Sequence, residues 1–314
     1  MLNDLAIGFA PDGFDAWSFQ DGLAGGMSVG APPDPLGPHG QDWGLPAFVP
    51  DRLAAGGYGP FAQTIRAGMA HAGGLRIDHV MGLFRLFWIP EGAEPAQGTY
   101  VRYPADDLLG VLALESMAAG ALVVGEDLGT VEPGVRERLA AEGVLSYRLA
   151  WFEHGPGDGR RRAADYPRLA LAATTTHDLP TVAGFFSGSD LDHLCDIGMA
   201  RPGGDEQADQ EVQRASLCRL LEDEGLLAPG ERSVRAILAA LYGFLTRTPA
   251  LLLAATLEDA LEAHDRPNVP GTIDQRPNWS LPLPVALDDL AADPRVRRLA
   301  AILSKGTNGS SPGS

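Results

Sequence analysis

Lysine is almost absent from this chain of 314 residues: of 24 basic residues only Lys305 is a lysine, and the others are arginine. A Schiff-base lysine, a P-loop lysine and a kinase-type ATP-binding lysine are therefore not expected in the body of the chain. Positive charge is scarce altogether. The formal net charge of −17 repels phosphate backbones and anionic lipid, so neither nucleic acid nor a membrane surface is an expected partner. Cysteine is limited to Cys195 and Cys218, too few for a disulfide framework and not in a CxxC, which reads as two inert thiols. Apolar runs such as Ala250 to Ala255 fall far below the ~18 residues needed to span a bilayer. The start, Met1-Leu-Asn-Asp, has no basic or long apolar region of a signal peptide, and a cytoplasmic location is expected. The seven histidines form no HxxxH or HExxH pattern, so neither a catalytic metal nor another cofactor is expected.

What is present is an ordinary globular composition, 45% hydrophobic and 21% charged. Thirty-nine glycines and 25 prolines point to long, turn-rich loops on a folded frame. Short apolar runs alternate with helix-period segments, the pattern of parallel βαβ units. Strands are expected at Leu5–Phe9, Leu75–Val80, Ala121–Glu126, Leu145–Phe152, Leu169–Thr176 and Ala250–Leu257. Helices are expected around Phe61 to Ala72, over 107–119, between Pro133 and Gly143, and over 206–227, 231–247 and 285–304. Residues 10–50 and 81–105 read as loops rich in aromatic residues. Loops of that length suit a (β/α)8 barrel of the TIM type, whose sites are built from loops at the carboxyl ends of strands. Six strands fall short of the eight such a barrel needs. The expected organisation is thus a barrel portion over 1–304, with a loop insertion at 10–50 and a helical insertion at about 187–248, then a disordered tail over 305–314.

Three carboxylates each close an apolar strand: Asp78 in L-R-I-D-H, Glu126 in V-V-G-E-D-L-G and Asp178 in T-T-T-H-D. An acidic residue after a strand is often only a helix cap. Three at barrel-like spacing, with arginine and histidine beside them, favour a site in which two carboxylates flank a sugar as nucleophile and acid/base. Arg76 precedes Asp78 by two positions and projects to the same strand face, where a permanent cation keeps an aspartate ionised. Glu126 follows a valine run with no basic residue within three positions, a setting that raises the pKa of a general acid. Asp127 alternates to the other side and reads as structural, as does His79.

These segments, in this order and spacing, resemble the 4-α-glucanotransferases, glycoside hydrolase family 77, also known as amylomaltases. So do N-D-L-A-I-G around Asp4, G-Q-D-W-G-L-P over Gly40–Pro46, and N-V-P-G-T over Asn268–Thr272 with Asn278-Trp279. The resemblance implies a retaining transfer of an α-1,4-glucan segment to an acceptor sugar. Asp78 would be the nucleophile, Glu126 the acid/base, and Asp178 the grip on the donor hydroxyls. His177 would share the donor site and Arg76 would orient Asp78. Asp4 would support that cluster, and Trp43 and Gln41 would bind glucan and exclude water. An amylase-like hydrolase and an inactive glucan-binding fragment are the alternatives. The sequence departs from the family pattern at Val80-Met81, where the family has F-R, and at Leu179-Pro180, where it has N-D. The family also carries a substantial region before the first motif, so the chain is expected to be the C-terminal portion, without the first two βα units.

Overall fold

The computed structural model describes residues 1–33, 39–155, 159–201, 203–272 and 274–307. It divides into two compact units, Met1–Tyr147 and Arg148–Ser314. Among the described residues no helix is long and apolar enough to cross a membrane.

The first unit contains strands β1 (Leu2–Leu5), β2 (Met27–Ala31), β3 (Gln41–Leu45), β4 (Gly74–Ile77), β5 (Arg85–Pro90), β6 (Thr99–Arg102) and β7 (Leu122–Gly125), and enters β8 (Leu145–Leu149). Strands β1, β4, β7 and β8 lie side by side in that order and run parallel. Helix Gly59–Met69 is the crossover from β1 to β4, Ala105–Ala119 from β4 to β7, and Val135–Ala141 from β7 to β8. Their apolar faces meet the sheet in a core that includes Ile65, Met69, Leu75, Leu112, Val123 and Leu139. The α/β alternation read from the sequence is the alternation observed.

Two stretches read as loops hold more order than expected. Strands β2 and β3 form within residues 10–50, and β5 and β6 within 81–105. Together they make an antiparallel sheet in the order β3-β2-β5-β6. Glycine hid this sheet. A Cβ at Gly30 would lie 2.0 Å from the Gln41 carbonyl oxygen, so a residue that reads as a loop former is what lets β3 close on β2. The register shifts between Val29 and Gly30, the mark of a bulge. The first strand also lies earlier than expected, so that Asp4 sits within β1 instead of before it.

In the second unit, β9 (Ala170–Ala173) pairs in parallel with β10 (Leu252–Leu253), and the Ala150 amide donates to the Ala173 carbonyl at 3.0 Å. Helices Val182–Ser187, Ser189–Asp196, Asp205–Asp223 and Val234–Leu245 lie between β9 and β10 in the chain. The expected apolar face of the last of these is buried at Ile237, Leu238, Leu241 and Leu245, in a core with Trp151, Phe185, Leu217 and Leu221. Helix Pro294–Thr307 runs into the stretch expected as a tail, the rest of which lies outside the described residues.

Candidate active site

In the first unit the strand register itself assembles a charged cluster. Asp4 of β1 stands opposite Arg76 of β4, and Arg76 opposite Val124 of β7. The parallel ladder continues past the named strands: the Asp78 amide donates to Leu5 O, the Glu126 amide to Ile77 O and the Val80 amide to Glu126 O, each at 2.9 Å. Asp78 is two residues beyond Arg76, and Glu126 two beyond Val124. Both carboxylates therefore stand at the carboxyl ends of adjacent strands, on the face that carries Arg76.

Arg76 is buried and donates through Nη1 to Asp4 Oδ1 at 2.6 Å and through Nη2 to Asp78 Oδ1 at 2.9 Å. Burial works against its charge, but Asp4 and Asp78 outweigh that and hold the guanidinium above its ordinary range. Glu126 is buried as well. Burial and the nearby Asp78 charge push its carboxyl up to about 7, although the Leu128 and His79 amides and Arg76 pull the other way. Those amides donate to Oε1 at 2.6 Å and to Oε2 at 2.9 Å, so the backbone holds both oxygens. Asp78 and Glu126 thus stand side by side in opposite settings. One is half-buried against a cation; the other is desolvated and held by neutral donors.

Asp127 faces away, buried, and accepts from Arg136 Nε at 2.7 Å, Ser146 Oγ at 2.5 Å and the Tyr147 amide at 2.9 Å. It ties the segment after β7 to β8. Trp43 and Gln41 lie on β3, where the indole Nε1 donates to Gln41 Oε1 at 3.0 Å. The Trp43 ring meets His79 edge-on, with centroids 5.6 Å apart. His79 adopts a left-handed backbone, φ 45°, and its N–H is the one that donates to Glu126 Oε2. Burial, with Arg85 adding to it, lowers the imidazole pKa to about 4.

In the second unit, Asp178 and His177 lie on the loop between β9 and helix Val182–Ser187. Asn268 Nδ2 donates to Asp178 Oδ1 at 2.6 Å, and His177 Nε2 stands 3.3 Å from Asp178 Oδ2. The backbone is fixed too, because Arg266 Nη1 donates to the Asp178 carbonyl at 2.8 Å while Nη2 pairs with buried Asp190. Trp279 packs on the His177 ring at 4.8 Å between centroids, with φ 60° and its side largely exposed. Asn278 accepts from the Val269 amide and donates to Thr272, so the two late segments form one knot.

All eight sequence-selected residues fall into these two clusters. Asp4, Gln41, Trp43, Arg76, Asp78 and Glu126 lie in the first unit, and His177 and Asp178 in the second. Several contributors escaped sequence reasoning, among them Arg266 and the Leu128 N–H described above. Tyr147 is buried under Arg76, whose guanidinium carbon is 5.4 Å from the ring centroid, and burial pushes its hydroxyl up to about 12. Its signal was present, since Leu145, Tyr147 and Leu149 alternate as the buried side of β8. The His79 contribution is a backbone N–H, which no residue type announces.

A model of the 4-alpha-glucanotransferases of glycoside hydrolase family 77 matches residues 1–287. The 4-alpha-glucanotransferase of Mycobacterium tuberculosis (strain ATCC 25618 / H37Rv) is 45% identical over 320 residues, covering 98% of this chain and 44% of that protein. The 4-alpha-glucanotransferase of Haemophilus influenzae is 36% identical over 318 residues, covering 98% and 45%. The crystal structure of amylomaltase from Corynebacterium glutamicum superposes with a TM-score of 0.92 at 38% identity, covering 96% of this chain and 46% of that one. The chain spans less than half the length of these relatives. On these matches it belongs to the 4-alpha-glucanotransferase family, glycoside hydrolase family 77.

Proposed function

We propose that the chain carries the catalytic carboxylates of a 4-α-glucanotransferase that moves a segment of an α-1,4-glucan to the 4-hydroxyl of another glucan or of glucose. Asp78, held ionised by Arg76, attacks the anomeric carbon of the donor. Glu126, whose raised pKa of about 7 keeps a substantial protonated fraction near neutral pH, gives its proton to the departing O4, leaving a glucosyl ester on Asp78. Glu126, now a carboxylate, takes the proton from the acceptor hydroxyl as that oxygen displaces Asp78. Two displacements restore the α configuration. Asp178 grips the 2- and 3-hydroxyls of the donor sugar, in contacts that tighten as the oxocarbenium character grows, with His177 beside it. Asp4 shares the charge of Arg76, and Trp43 with Gln41 offers a sugar-stacking face that keeps water from the ester.

The observation that carries this reading is the split between the two carboxylates of the first unit. A nucleophile needs an ionised oxygen and an acid needs a held proton, and a shared guanidinium beside a desolvated glutamic acid meets both needs. Residues 1–304 act as a barrel portion with insertions at 10–50 and about 187–248, working in the cytoplasm on maltooligosaccharides. The test is incubation of the chain with maltotriose. Glucose with maltopentaose and longer products is the expected result. Glucose and maltose alone would make the protein a hydrolase, and unchanged maltotriose would remove the activity from this chain.

A further inference from the structure

Asp259, in the short helix Leu257–Ala260, is fully buried and takes no part in the chemistry described above. Its Oδ2 accepts from the hydroxyls of Thr174 and Tyr242, each at 2.8 Å, and its Oδ1 accepts from the Val182 amide at 2.8 Å. All three donors are neutral. Burial raises the Asp259 carboxyl pKa, with Glu258 adding to it, and the three donors work against the rise. Such a group is retained at a cost unless its bonds secure something.

What they secure can be read from the chain. Thr174 is the first residue after β9, and Val182 the first of helix Val182–Ser187. They are the two feet of the loop that carries His177 and Asp178. The helix does not need Asp259 as its cap, because the Thr181 hydroxyl already accepts from the Gly184 amide at 2.9 Å. Thr175 Oγ donates across the loop to Pro180 O at 2.8 Å, and Asn268 and Arg266 hold its tip. We propose that Asp259 is a positioning residue that buckles the two feet of this loop and so sets where Asp178 and His177 stand. The value of that placement for catalysis rests on the glucanotransferase reading; the buckle itself does not.

Thr174→Val and Tyr242→Phe separate a buckle from general core support. Each removes one neutral hydroxyl from the same carboxylate oxygen, and the two hydroxyls lie 3.0 Å apart, but only Thr174 belongs to the loop. Thermal melting, amide exchange over residues 176–179 and the NMR titration of the His177 imidazole are measured on each full chain. Thr174→Val is expected to speed exchange in the loop by about tenfold, roughly the factor of one lost buried hydrogen bond, and to move the His177 titration. Tyr242→Phe should lower the melting temperature while leaving both loop readouts within about twofold of the wild type. Asp259→Asn, which can still accept from Val182 and donate to Thr174, should restore much of what Asp259→Ala loses. Equal loop effects in the two hydroxyl variants, or an unmoved loop in Thr174→Val, would overturn the proposal. If Asp259→Ala fails to fold, that comparison decides alone. Should the wild type fail to disproportionate maltotriose while the loop responds as expected, the functional reading falls and the buckle stands.

Discussion

Asp78 shares the guanidinium of buried Arg76 with Asp4, whereas Asp178 takes its contacts from the Asn268 amide, the His177 imidazole and a backbone tethered by Arg266. The first unit holds its carboxylate by permanent charge, and the strand register delivers that charge. The second holds its carboxylate by an amide hydrogen bond with an imidazole nitrogen 3.3 Å away, and a loop delivers it. A shared cation favours the ionised form as well as fixing place, which suits the nucleophile role proposed for Asp78. A directed amide donor fixes place without adding charge, which suits the sugar-gripping role proposed for Asp178.

The sharpest way to break this contrast is Arg76→Met. With the common cation gone, Asp4 and Asp78 repel each other unscreened, and maltotriose disproportionation is expected to fall by about 10²–10³-fold, the range for losing a preorganised charge partner. A loss of less than about tenfold would mean that Asp78 does not depend on charge. Next in size is a pH effect on folding. Glu126 has a folded pKa of about 7, above its unfolded value, so its contribution to stability is full below about 4.5 and is lost as pH rises through 7. That loss is on the order of 2–3 kcal/mol, measurable by urea unfolding between pH 4.5 and 8. Glu126→Gln should remove this part of the slope; an unchanged slope would place the titrating group elsewhere. Asn268→Ala should cost about tenfold in activity with under about 1 kcal/mol in stability, since one bond to a half-exposed carboxylate is lost. Smallest is Trp43→Ala, expected to raise the ratio of hydrolysis to transfer by about two- to fivefold, to be read from the reducing sugar released per glucose transferred.

The two regions also differ in how far they could be read from sequence. Strands β4 and β9 are buried at every residue, so L-R-I and A-L-A-A announced themselves as apolar runs, with Asp78 and Asp178 legible just beyond their ends. The antiparallel sheet was not legible. Strand β3, Q-D-W-G-L, is polar and half-exposed, and β2 owes its closeness to β3 to Gly30, a residue whose ordinary meaning is a turn. Strand β5 carried a usable alternation, with Phe87 and Ile89 on the buried side, masked by its run of aromatic residues. For Glu126 the apolar approach through Val123 and Val124 was visible, and a carboxyl pushed up by burial follows from it. The hydrogen bonds that hold that carboxyl were not visible, because they come from main-chain groups.

That last point has a consequence for how the protein can vary. The two N–H groups on Glu126 belong to positions 79 and 128, and every amino acid except proline supplies one. The orientation of this displaced carboxyl is therefore insulated from most side-chain replacement around it. The shape of position 79, at φ 45°, accepts glycine or asparagine more readily than a branched residue. As far as the hold on Glu126 goes, these two sites are limited by backbone shape instead of side-chain chemistry, and a lineage can drift there while that carboxyl keeps the same aim.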